Sequence, residues 1–282
     1  MRSTDLYGKN VSLKHEQKWL NKIAVVTGAS SGIGAATARK LASQGLKVIL
    51  VARRKDRLEQ LANEIQHNGG LADYISADLS DEAERERVFS TIEDKYGQAD
   101  ILVNNAGLGW YGYSTEMPWT IASEILEVNI VAAVHFTLLF LKKMRSVGSG
   151  HIINVGSISG SLPSQGVAIY GATKSFLDNF TTALYRELTG TRLHVSVVRA
   201  GPVRTEFSEV AANLKGGLHI PTERIGVTAE RVANRIWRLL DHPRRVIYIP
   251  SWLGITPFIE NYFGWLIDRL GPLLLRAQSH QK

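Results

Sequence analysis

Residues 23–37 read IAVVTGASSGIGAAT, in which an apolar run, a turn with three glycines and an alanine-rich stretch follow one another. The apolar run fits a buried strand and the alanine-rich stretch fits the start of a helix, so this segment predicts a strand–turn–helix unit. Two functions compete for the turn. Read from Gly28 through Ser30 to Gly32, it matches the elbow that presents a nucleophilic serine in hydrolases. Read as Gly28, Gly32 and Gly34, it matches a turn that lets the phosphates of a dinucleotide approach the backbone.

The same alternation of short apolar runs and longer amphipathic stretches continues along the chain. The predicted strands are residues 23–27, 48–52, 72–77, 101–106, 151–155, 194–198 and 245–249. The predicted helices cover about 32–44, 55–67, 81–96, 168–189 and 228–241, and a further long helix ends near residue 145. Near-continuous Val, Ile and Leu strands separated by helices are typical of parallel sheets covered on both faces. We therefore predict a Rossmann-like, doubly wound α/β fold with about seven strands.

Size and composition restrict the domain organisation and the classes of function that the chain can have. No change in composition marks a linker within the 282 residues, so we predict a single domain over 22–250, an N-terminal extension over 1–21 and an apolar C-terminal extension over 251–282. The absence of cysteine excludes disulfides and thiolate nucleophiles, and the histidines form no ligand motif, so no metal is expected. The net charge of +7 is spread along the chain and gives no prediction of nucleic-acid binding. The first residues lack the continuous apolar core of a secretory signal, so we expect a cytoplasmic protein.

The glycine turn favours the dinucleotide over the hydrolase. The elbow interpretation uses Gly28 and Gly32, leaves Gly34 unexplained, and finds no glycine-rich loop that would donate to an oxyanion. The dinucleotide interpretation uses all three glycines, and the helix that follows offers N–H groups and a partial positive charge to a pyrophosphate. A helix cap with packing glycines, and a serine hydrolase acting through Ser30, are the alternatives that this turn alone leaves open.

Three further motifs follow in order: Asn104-Asn105-Ala106-Gly107, then Ser157, then Tyr170-x-x-x-Lys174. Together with the glycine turn they resemble, in order and spacing, the motifs of the short-chain dehydrogenases/reductases over residues 22–206. The resemblance implies hydride transfer between a nicotinamide cofactor and a carbonyl or alcohol carbon of a small molecule, in a homodimer or homotetramer. A cofactor-binding regulatory protein without turnover is the alternative. The chain departs from the family at Ala200, where a proline is usual.

The resemblance implies catalytic roles for Asn129, Ser157, Tyr170 and Lys174. Tyr170 and Lys174 are four residues apart and share a helix face, where the ammonium is expected to lower the pKa of the phenol and make it a proton donor or acceptor. Ser157 would hydrogen-bond the same substrate oxygen, and Asn129 would hold a water in the proton relay. A solvated Tyr–Lys pair and a structural asparagine are the alternatives.

The end of the second strand indicates which nicotinamide cofactor binds. NAD-dependent enzymes place Asp or Glu there, whereas this chain has Arg53 and Arg54. Guanidinium groups pair well with a phosphate, so we predict NADP(H), with Arg53 as the main contact. For Asp78, contact with adenine and a helix cap are both open. The resemblance extends the cofactor site to Gly28, Ser30, Ser31, Gly32, Ile33, Gly34, Arg53, Arg54, Asp78, Leu79, Asn105, Ala106, Gly107, Tyr170, Lys174, Gly201, Val203 and Thr205.

The substrate side is predicted only in outline. By resemblance, residues 206–226 would form a mobile lid. Trp110, Tyr111 and Tyr113 follow the Asn104–Gly107 motif and are expected to line a pocket for a bulky apolar substrate, with core packing as the alternative. Residues 251–275 are rich in apolar and aromatic side chains, but proline and glycine interrupt them too often for a transmembrane helix. A pocket wall, a subunit interface and a peripheral membrane contact are the three roles left open for that segment.

Overall fold

The computed structural model describes residues 18–217 and 226–279, with side chains up to residue 269. The strands are β1 (Ile23–Thr27), β2 (Lys47–Ala52), β3 (Leu71–Ser76), β4 (Ile101–Asn104), β5 (Gly150–Ser157), β6 (Leu193–Ala200), β7 (Val203–Arg204), β8 (Val227–Thr228) and β9 (Val246–Ile249). The α-helices are α1 (Gly32–Ala42), α2 (Lys55–His67), α3 (Glu82–Tyr96), α4 (Trp119–Leu126), α5 (Ala133–Val147), α6 (Ala168–Glu187), α7 (Phe207–Asn213), α8 (Ala229–Asp241) and α9 (Thr256–Ser279).

Seven strands form one parallel sheet in the order β3-β2-β1-β4-β5-β6-β9. The order reverses between β1 and β4, which pair from Ala24 with Ile101 to Val26 with Val103. The predicted doubly wound fold is confirmed. Since ligands of such sheets bind beyond the carboxyl ends of the strands at this reversal, the fold places a site where β1 and β4 end.

Helices cover both faces of the sheet, and the alternating side chains of each strand supply both layers. In β1, Val26 packs into the layer that contains Leu41 of α1, whereas its neighbour Val25 packs into the opposite layer with Phe136 and Phe140 of α5. All five side chains are at most 1% exposed. Burial on both faces explains why the strands read as continuous apolar runs rather than as alternating ones.

The longest predicted helix is three consecutive segments. Helix α4 ends at Leu126, a π-helical segment covers Glu127–Ala132, and α5 follows. The combined run, Trp119–Val147, is long and apolar enough to cross a membrane by length and composition alone. Because α5 packs against the sheet, this run is a core helix of the domain.

The described parts of the two variable regions are helical. The predicted lid begins with α7 and lies outside the described residues at 218–225, as does the N-terminal extension up to residue 17. After β9 the chain forms a short 3₁₀ turn, Ser251–Ile255, and then α9. On α9 the side chains of Phe258, Tyr262 and Trp265 are more than 60% exposed, so the helix presents aromatic rings to solvent.

Candidate active site

The turn after β1 requires its glycines. Gly28 and Gly32 adopt φ of 63° and 54°, in the left-handed region where residues with a side chain are strained. At Gly34 a Cβ atom would lie 2.3 Å from the carbonyl oxygen of Gly28, which no side chain tolerates. The first turn of α1 contains no acidic residue. The helix N-terminus therefore faces the sheet edge with the geometry and charge that suit an anion.

Thr27 and Asn105 fasten this turn to the end of β4. The Thr27 hydroxyl oxygen accepts from the backbone N–H of Asn105 and of Ala106, each at 3.0 Å. The Asn105 amide in turn donates to the carbonyl oxygen of Thr27 at 2.9 Å. These bonds bend the chain away from the sheet after Asn104, which is why β4 ends two residues earlier than predicted.

Tyr170 and Ser157 meet at the floor of the cleft. The Ser157 hydroxyl lies close enough to the phenol to lower the pKa of Tyr170. Ser157 is the last residue of β5 and is buried, and Tyr170 lies in the first turn of α6. The ring of Tyr170 packs between those of Tyr111, at a centroid distance of 6.5 Å, and Phe207, at 5.7 Å. A carbonyl oxygen placed between the two hydroxyls would therefore find two donors inside an aromatic surround.

Lys174 lies one turn beyond Tyr170 and is buried. Its ammonium donates to the carbonyl oxygen of Val155 at 3.0 Å and lies 5.7 Å from the centroid of the Tyr170 ring. Burial lowers the pKa of Lys174 to about 8, although Asp178 acts in the opposite direction. Lys174 is thus a buried cation whose ammonium group is held by a backbone carbonyl of β5.

The pKa of Tyr170 is raised overall in this arrangement, whereas the Tyr–Lys spacing predicts a lowered value. Burial, followed by the neighbouring Tyr111, raises the pKa of Tyr170 well above its usual value, and the Ser157 hydroxyl opposes this only in part. Desolvation of the phenolate outweighs the attraction of an ammonium that is directed at a backbone carbonyl. At neutral pH the phenol keeps its proton.

Asn129 sits in the π-helical segment and is fully buried. Its side chain accepts from the N–H of Leu108 at 2.7 Å and donates to the Leu108 carbonyl oxygen at 2.9 Å. It also donates to Thr173 Oγ1 at 3.0 Å, and that hydroxyl donates to the carbonyl oxygen of Tyr170 at 2.7 Å. Asn129 therefore connects the loop after β4 to the first turn of α6. Such π-helical segments occur frequently at functional sites.

Arg54 crosses the glycine turn. Its guanidinium donates to Ser30 Oγ at 2.9 and 3.1 Å and to Ser31 Oγ at 2.8 Å. A third nitrogen, Nη1, pairs with Glu206 Oε1 at 2.6 Å. Ser30 is thus held by a guanidinium, and no histidine lines the cleft among the described residues, so the hydrolase interpretation gains no support.

Arg53 is more exposed than Arg54 and points across the cleft. Its Nη1 donates to Glu124 Oε1 of α4 at 2.8 Å and lies 3.8 Å from Asp78 Oδ2. Asp78 accepts from the backbone N–H and the hydroxyl of Ser80, whereas Asp81 caps α3. The helix-cap alternative for Asp78 is therefore wrong.

Glu206 joins two arginines. Its Oε1 faces Arg54, and its Oε2 accepts from Arg57 Nη1 at 2.6 Å. Burial raises the pKa of Glu206, but hydrogen bonds from Arg57, Ser31 and Arg54 outweigh it and hold that pKa at about 2. The carboxylate is thus a fixed negative charge at the cofactor side of the cleft.

Most of the predicted site residues line one cleft of about 630 Å³. Two of the predicted site residues, Gly34 and Asn129, lie behind the described wall; Gly34 packs on the turn and Asn129 bonds the loop after β4. The predicted residues in the wall are Gly28, Ser30, Ser31, Gly32, Ile33, Arg53, Arg54, Asp78, Leu79, Asn105, Ala106, Gly107, Ser157, Tyr170, Lys174, Gly201, Val203 and Thr205.

The end of the cleft beyond Tyr170 is apolar. Of the three predicted aromatic residues, Tyr111 lines it, whereas Tyr113 is exposed and Trp110 is buried with its indole N–H donating to the carbonyl oxygen of Lys215. Over the cleft as a whole, the apolar lining residues include Leu108, Ile121, Ile125, Val128, Ile158, Val167, Phe207, Val210 and Leu214.

The C-terminal segment does not line this cleft in the part of the chain that is described. It packs from behind: Leu253 contacts the backbone at Gly201, where a Cβ atom would lie 2.6 Å from Leu253 Cδ1. Thr256 Oγ1 hydrogen-bonds Ser161 Oγ at 3.2 Å. For the described residues, the pocket-wall role proposed for this segment is wrong.

The sequence analysis missed several charged residues that the fold brings together. Glu206 pairs with Arg57 across 149 positions and Glu124 with Arg53 across 71, distances at which no local pattern signals a contact. Below Lys174, Asp178 pairs with Arg199 at 3.0 Å; burial raises the pKa of this carboxyl to about 6 despite Arg199. For Asp178 a signal existed, since it follows Lys174 by one helical turn.

Outside the cleft, Glu82, Glu86 and His135 offer ligand atoms within 4.8 Å of one another. Both glutamates are exposed, and the Nδ1 atom of His135 accepts from Arg85 Nε at 3.1 Å. The sequence analysis did not bring these residues together, because α3 and α5 meet only in the folded chain. Exposed acidic groups of this kind are common without a metal.

The family of this chain follows from comparison with known proteins. Residues 22–214 match the family described as short chain dehydrogenase. The chain is 33% identical over 252 residues to the NADP-dependent 3-hydroxy acid dehydrogenase YdfG of Escherichia coli O6:H1, with 88% of this chain and 99% of that protein covered. The chain therefore belongs to the short-chain dehydrogenases, a family of oxidoreductases, as its motifs predict.

Solved structures agree with this family. The short-chain dehydrogenase from Sphingobium yanoikuyae in complex with NADPH matches with a TM-score of 0.77 at 26% identity, over 88% of this chain and 95% of that one. The bulky-bulky ketone specific alcohol dehydrogenase from Comamonas testosteroni matches with a TM-score of 0.71 at 27% identity, over 81% and 86% of the two chains.

Proposed function

We propose that this chain is an NADP(H)-dependent oxidoreductase that interconverts a carbonyl group and a secondary alcohol on an apolar substrate. One observation carries the proposal. Ser157, Tyr170 and Lys174 meet at the floor of the same cleft whose other end is walled by the glycine turn and by Arg53 and Arg54. A proton-transfer group and a dinucleotide cradle are thereby joined in one space.

The residues present fit the cofactor. The turn at Gly28 leaves no space for a Cβ atom, which would lie 2.8 Å from Ala106 Cα, so only glycine lets this turn pack on the loop after β4 and lead into the N-terminus of α1. Two arginines follow β2 in place of the acid that holds an NAD ribose. YdfG is named as NADP-dependent, and the Sphingobium dehydrogenase is a complex with NADPH, which supports the same choice here.

When bound, the nicotinamide supplies or accepts a hydride; the chain supplies the proton and the orientation. Tyr170 stays protonated at neutral pH, the form needed to donate to a carbonyl oxygen. Ser157 orients the same oxygen through its hydroxyl. Lys174 places positive charge below the phenol, which stabilises the phenolate left after donation. Asn129 positions the loop after β4 against the first turn of α6.

The apolar end of the cleft favours a bulky ketone over a hydroxy acid. A carboxylate substrate would need a cation, and among the described lining residues the only cations are Arg53 and Arg54 at the cofactor end and Lys174 at the floor. Beside Tyr170 the wall carries the rings of Tyr111 and Phe207, with the neutral hydroxyl of Ser208 next to Tyr111. In this respect the cleft suits the substrate class of the Comamonas enzyme better than that of YdfG.

The substrate proposal is tested by following nicotinamide absorbance with a panel of bulky aryl ketones, hydroxysteroids and short 3-hydroxy acids. NADPH and NADH, or their oxidised forms, are supplied in parallel. We expect turnover of the bulky substrates with the phosphorylated cofactor. Turnover confined to the 3-hydroxy acids would contradict the apolar assignment, and a preference for NADH would contradict the assignment of the arginines.

We also propose a single catalytic domain over 22–250 that works in the cytoplasm as a homo-oligomer. Helices α5 and α6 each expose a large apolar side chain, Leu138 at 53% and Phe176 at 42%, which a second copy would cover. The oligomeric state is tested by sedimentation of the wild type and of a double variant that carries both Leu138→Lys and Phe176→Lys. The wild type should sediment as a dimer or larger and the double variant as a smaller species. A wild-type monomer that floats with lipid vesicles would instead assign the exposed rings of α9 to a membrane.

A further inference from the structure

We infer that Glu206 competes with the 2′-phosphate of the cofactor for Arg54, and that Arg57 holds Glu206 when the phosphate takes its place. The inference rests on the proposed use of NADP(H) and adds a residue that sets the strength of that preference. Glu206 would thus act as a counter-ion built into the chain at the phosphate site.

The contacts of Arg54 define the competition. Its Nε and Nη2 atoms donate to Ser30 and Ser31, and its Nη1 faces Glu206 at 2.6 Å. Each of its three nitrogens therefore has a partner within the chain. A phosphate that approaches this guanidinium must displace one of these partners. The carboxylate is the partner that a dianion would repel most strongly.

Arg57 explains how the displaced carboxylate stays in place. It lies one turn after Arg54 on α2, and its Nη1 donates to Glu206 Oε2 at 2.6 Å. Arg54 lines the cleft, whereas Arg57 lies outside its described wall. Each carboxylate oxygen thus has its own arginine, one at the phosphate site and one behind it. Loss of the Arg54 contact leaves Glu206 bound to Arg57.

The position of Glu206 links this exchange to the catalytic end of the cleft. Glu206 follows Thr205, whose Cγ2 would lie 3.1 Å from a Cβ atom at Gly32 on the glycine turn. It precedes Phe207, whose ring packs 5.7 Å from that of Tyr170. Glu206 therefore lies between a residue that contacts the glycine turn and a residue whose ring packs on the proposed proton donor.

The test is a double-mutant cycle read out by equilibrium binding, without turnover. Calorimetry measures the affinities of adenosine 2′,5′-bisphosphate and of 5′-AMP for the wild type, Glu206→Gln, Arg57→Gln and the double variant. Glu209→Gln, on the exposed face of α7, is the matched control. Thermal unfolding followed by circular dichroism verifies that each variant is folded.

We expect Glu206→Gln to bind the bisphosphate about fivefold more tightly than the wild type, which corresponds to about 1 kcal/mol, the contribution of a surface ion pair. The affinity for 5′-AMP should stay unchanged. Arg57→Gln should bind the bisphosphate more weakly in the wild-type background and have no effect in the Glu206→Gln background. Unchanged or weaker bisphosphate binding by a folded Glu206→Gln variant would overturn the inference while leaving the proposed function intact. Equal affinity of the wild type for both ligands would overturn the proposed NADP(H) use and the inference together.

Discussion

Asn129 donates to Thr173 Oγ1 over 3.0 Å and so joins the π-helical segment of the core helix to the helix that carries Tyr170. Asn129→Ala removes this bond and both bonds to Leu108. Because buried donors and acceptors are left without partners, we expect the free energy of unfolding to fall by about 1–3 kcal/mol. The rate should fall at least tenfold at about 298 K, because the first turn of α6 loses its connection to the loop after β4.

Asn104→Ala separates the two effects. Asn104 is also buried, but it donates to Thr137 and Asn154, whereas Asn129 bonds the loop after β4 and Thr173 of the helix that carries Tyr170. We expect a similar loss of stability, measured by urea denaturation, with a much smaller loss of kcat/KM. Equal loss of kcat/KM in the two variants would show that Asn129 acts only through stability.

Gly34→Ala tests the packing of the glycine turn. The added methyl group would lie 2.3 Å from the Gly28 carbonyl oxygen, so the turn must shift, at a cost of about 1–3 kcal/mol in unfolding free energy. Dinucleotide binding should weaken with it, as calorimetry would detect. Gly264→Ala in α9 is the control, since the nearest atom to its Cβ is the flexible end of Glu260 at 3.3 Å. Unaltered dinucleotide binding by Gly34→Ala would refute the cradle assigned to this turn.

Lys174 predicts a specific pH dependence of stability. In the folded protein its pKa is lowered to about 8 from the 10.5 of the unfolded chain. Between these values the unfolded chain binds more protons, so this group makes the free energy of unfolding rise with pH. Below that window both states are protonated and the cost of burying the ammonium is complete. Lys174→Met removes this dependence.

The measurement is urea denaturation of wild type and Lys174→Met across that window. We expect the unfolding free energy of the variant, relative to the wild type, to decrease as pH rises from about 8 to about 10.5. A difference that stays constant with pH would show that the buried ammonium keeps its ordinary pKa. If the unfolding free energy of the variant relative to the wild type instead increased with pH, the pKa of Lys174 would be raised in the folded protein and not lowered.

Tyr170 predicts a silent titration. Because burial raises its pKa, Tyr170 should contribute no phenolate absorbance below about pH 10, the ordinary value for tyrosine. For each protein, the spectrum at neutral pH is subtracted from the spectrum at higher pH, without cofactor. These pH-difference spectra should coincide for the wild type and Tyr170→Phe up to that pH. A phenolate that forms near neutrality and disappears in the variant would show that the lysine, rather than burial, controls the phenol.

Most of the fold could be read from the sequence because the evidence for it is local. The apolar run before Gly28 and the three glycines predict the strand, the turn and the helix that follow, and each later strand repeats the pattern. The motif spacing from Ser157 to Lys174 likewise indicates which side chains meet, because parallel strands end at one edge. The family and the doubly wound sheet are both confirmed on this basis.

What the sequence did not predict depends on contacts between distant segments. The pairing of Glu206 with Arg54 requires the loop after β7 to meet the residues that follow β2, and no periodicity encodes that approach. The π-helical register at Asn129 arises within a continuous apolar run that also fits an ordinary helix. The high pKa of Tyr170 depends on how completely Tyr111 and Phe207 surround it, which the Tyr–Lys spacing does not report.

The proposed function depends above all on one role, the donation of a proton by Tyr170 at the floor of an NADP(H) cleft. Its most direct test is the rate of NADPH oxidation with a bulky ketone by the wild type, Tyr170→Phe and Tyr111→Phe, the last of which alters a neighbouring ring of the same cleft. We predict that Tyr170→Phe loses at least about a hundredfold in kcat while Tyr111→Phe retains most of it. Turnover by Tyr170→Phe at the wild-type rate would contradict the account.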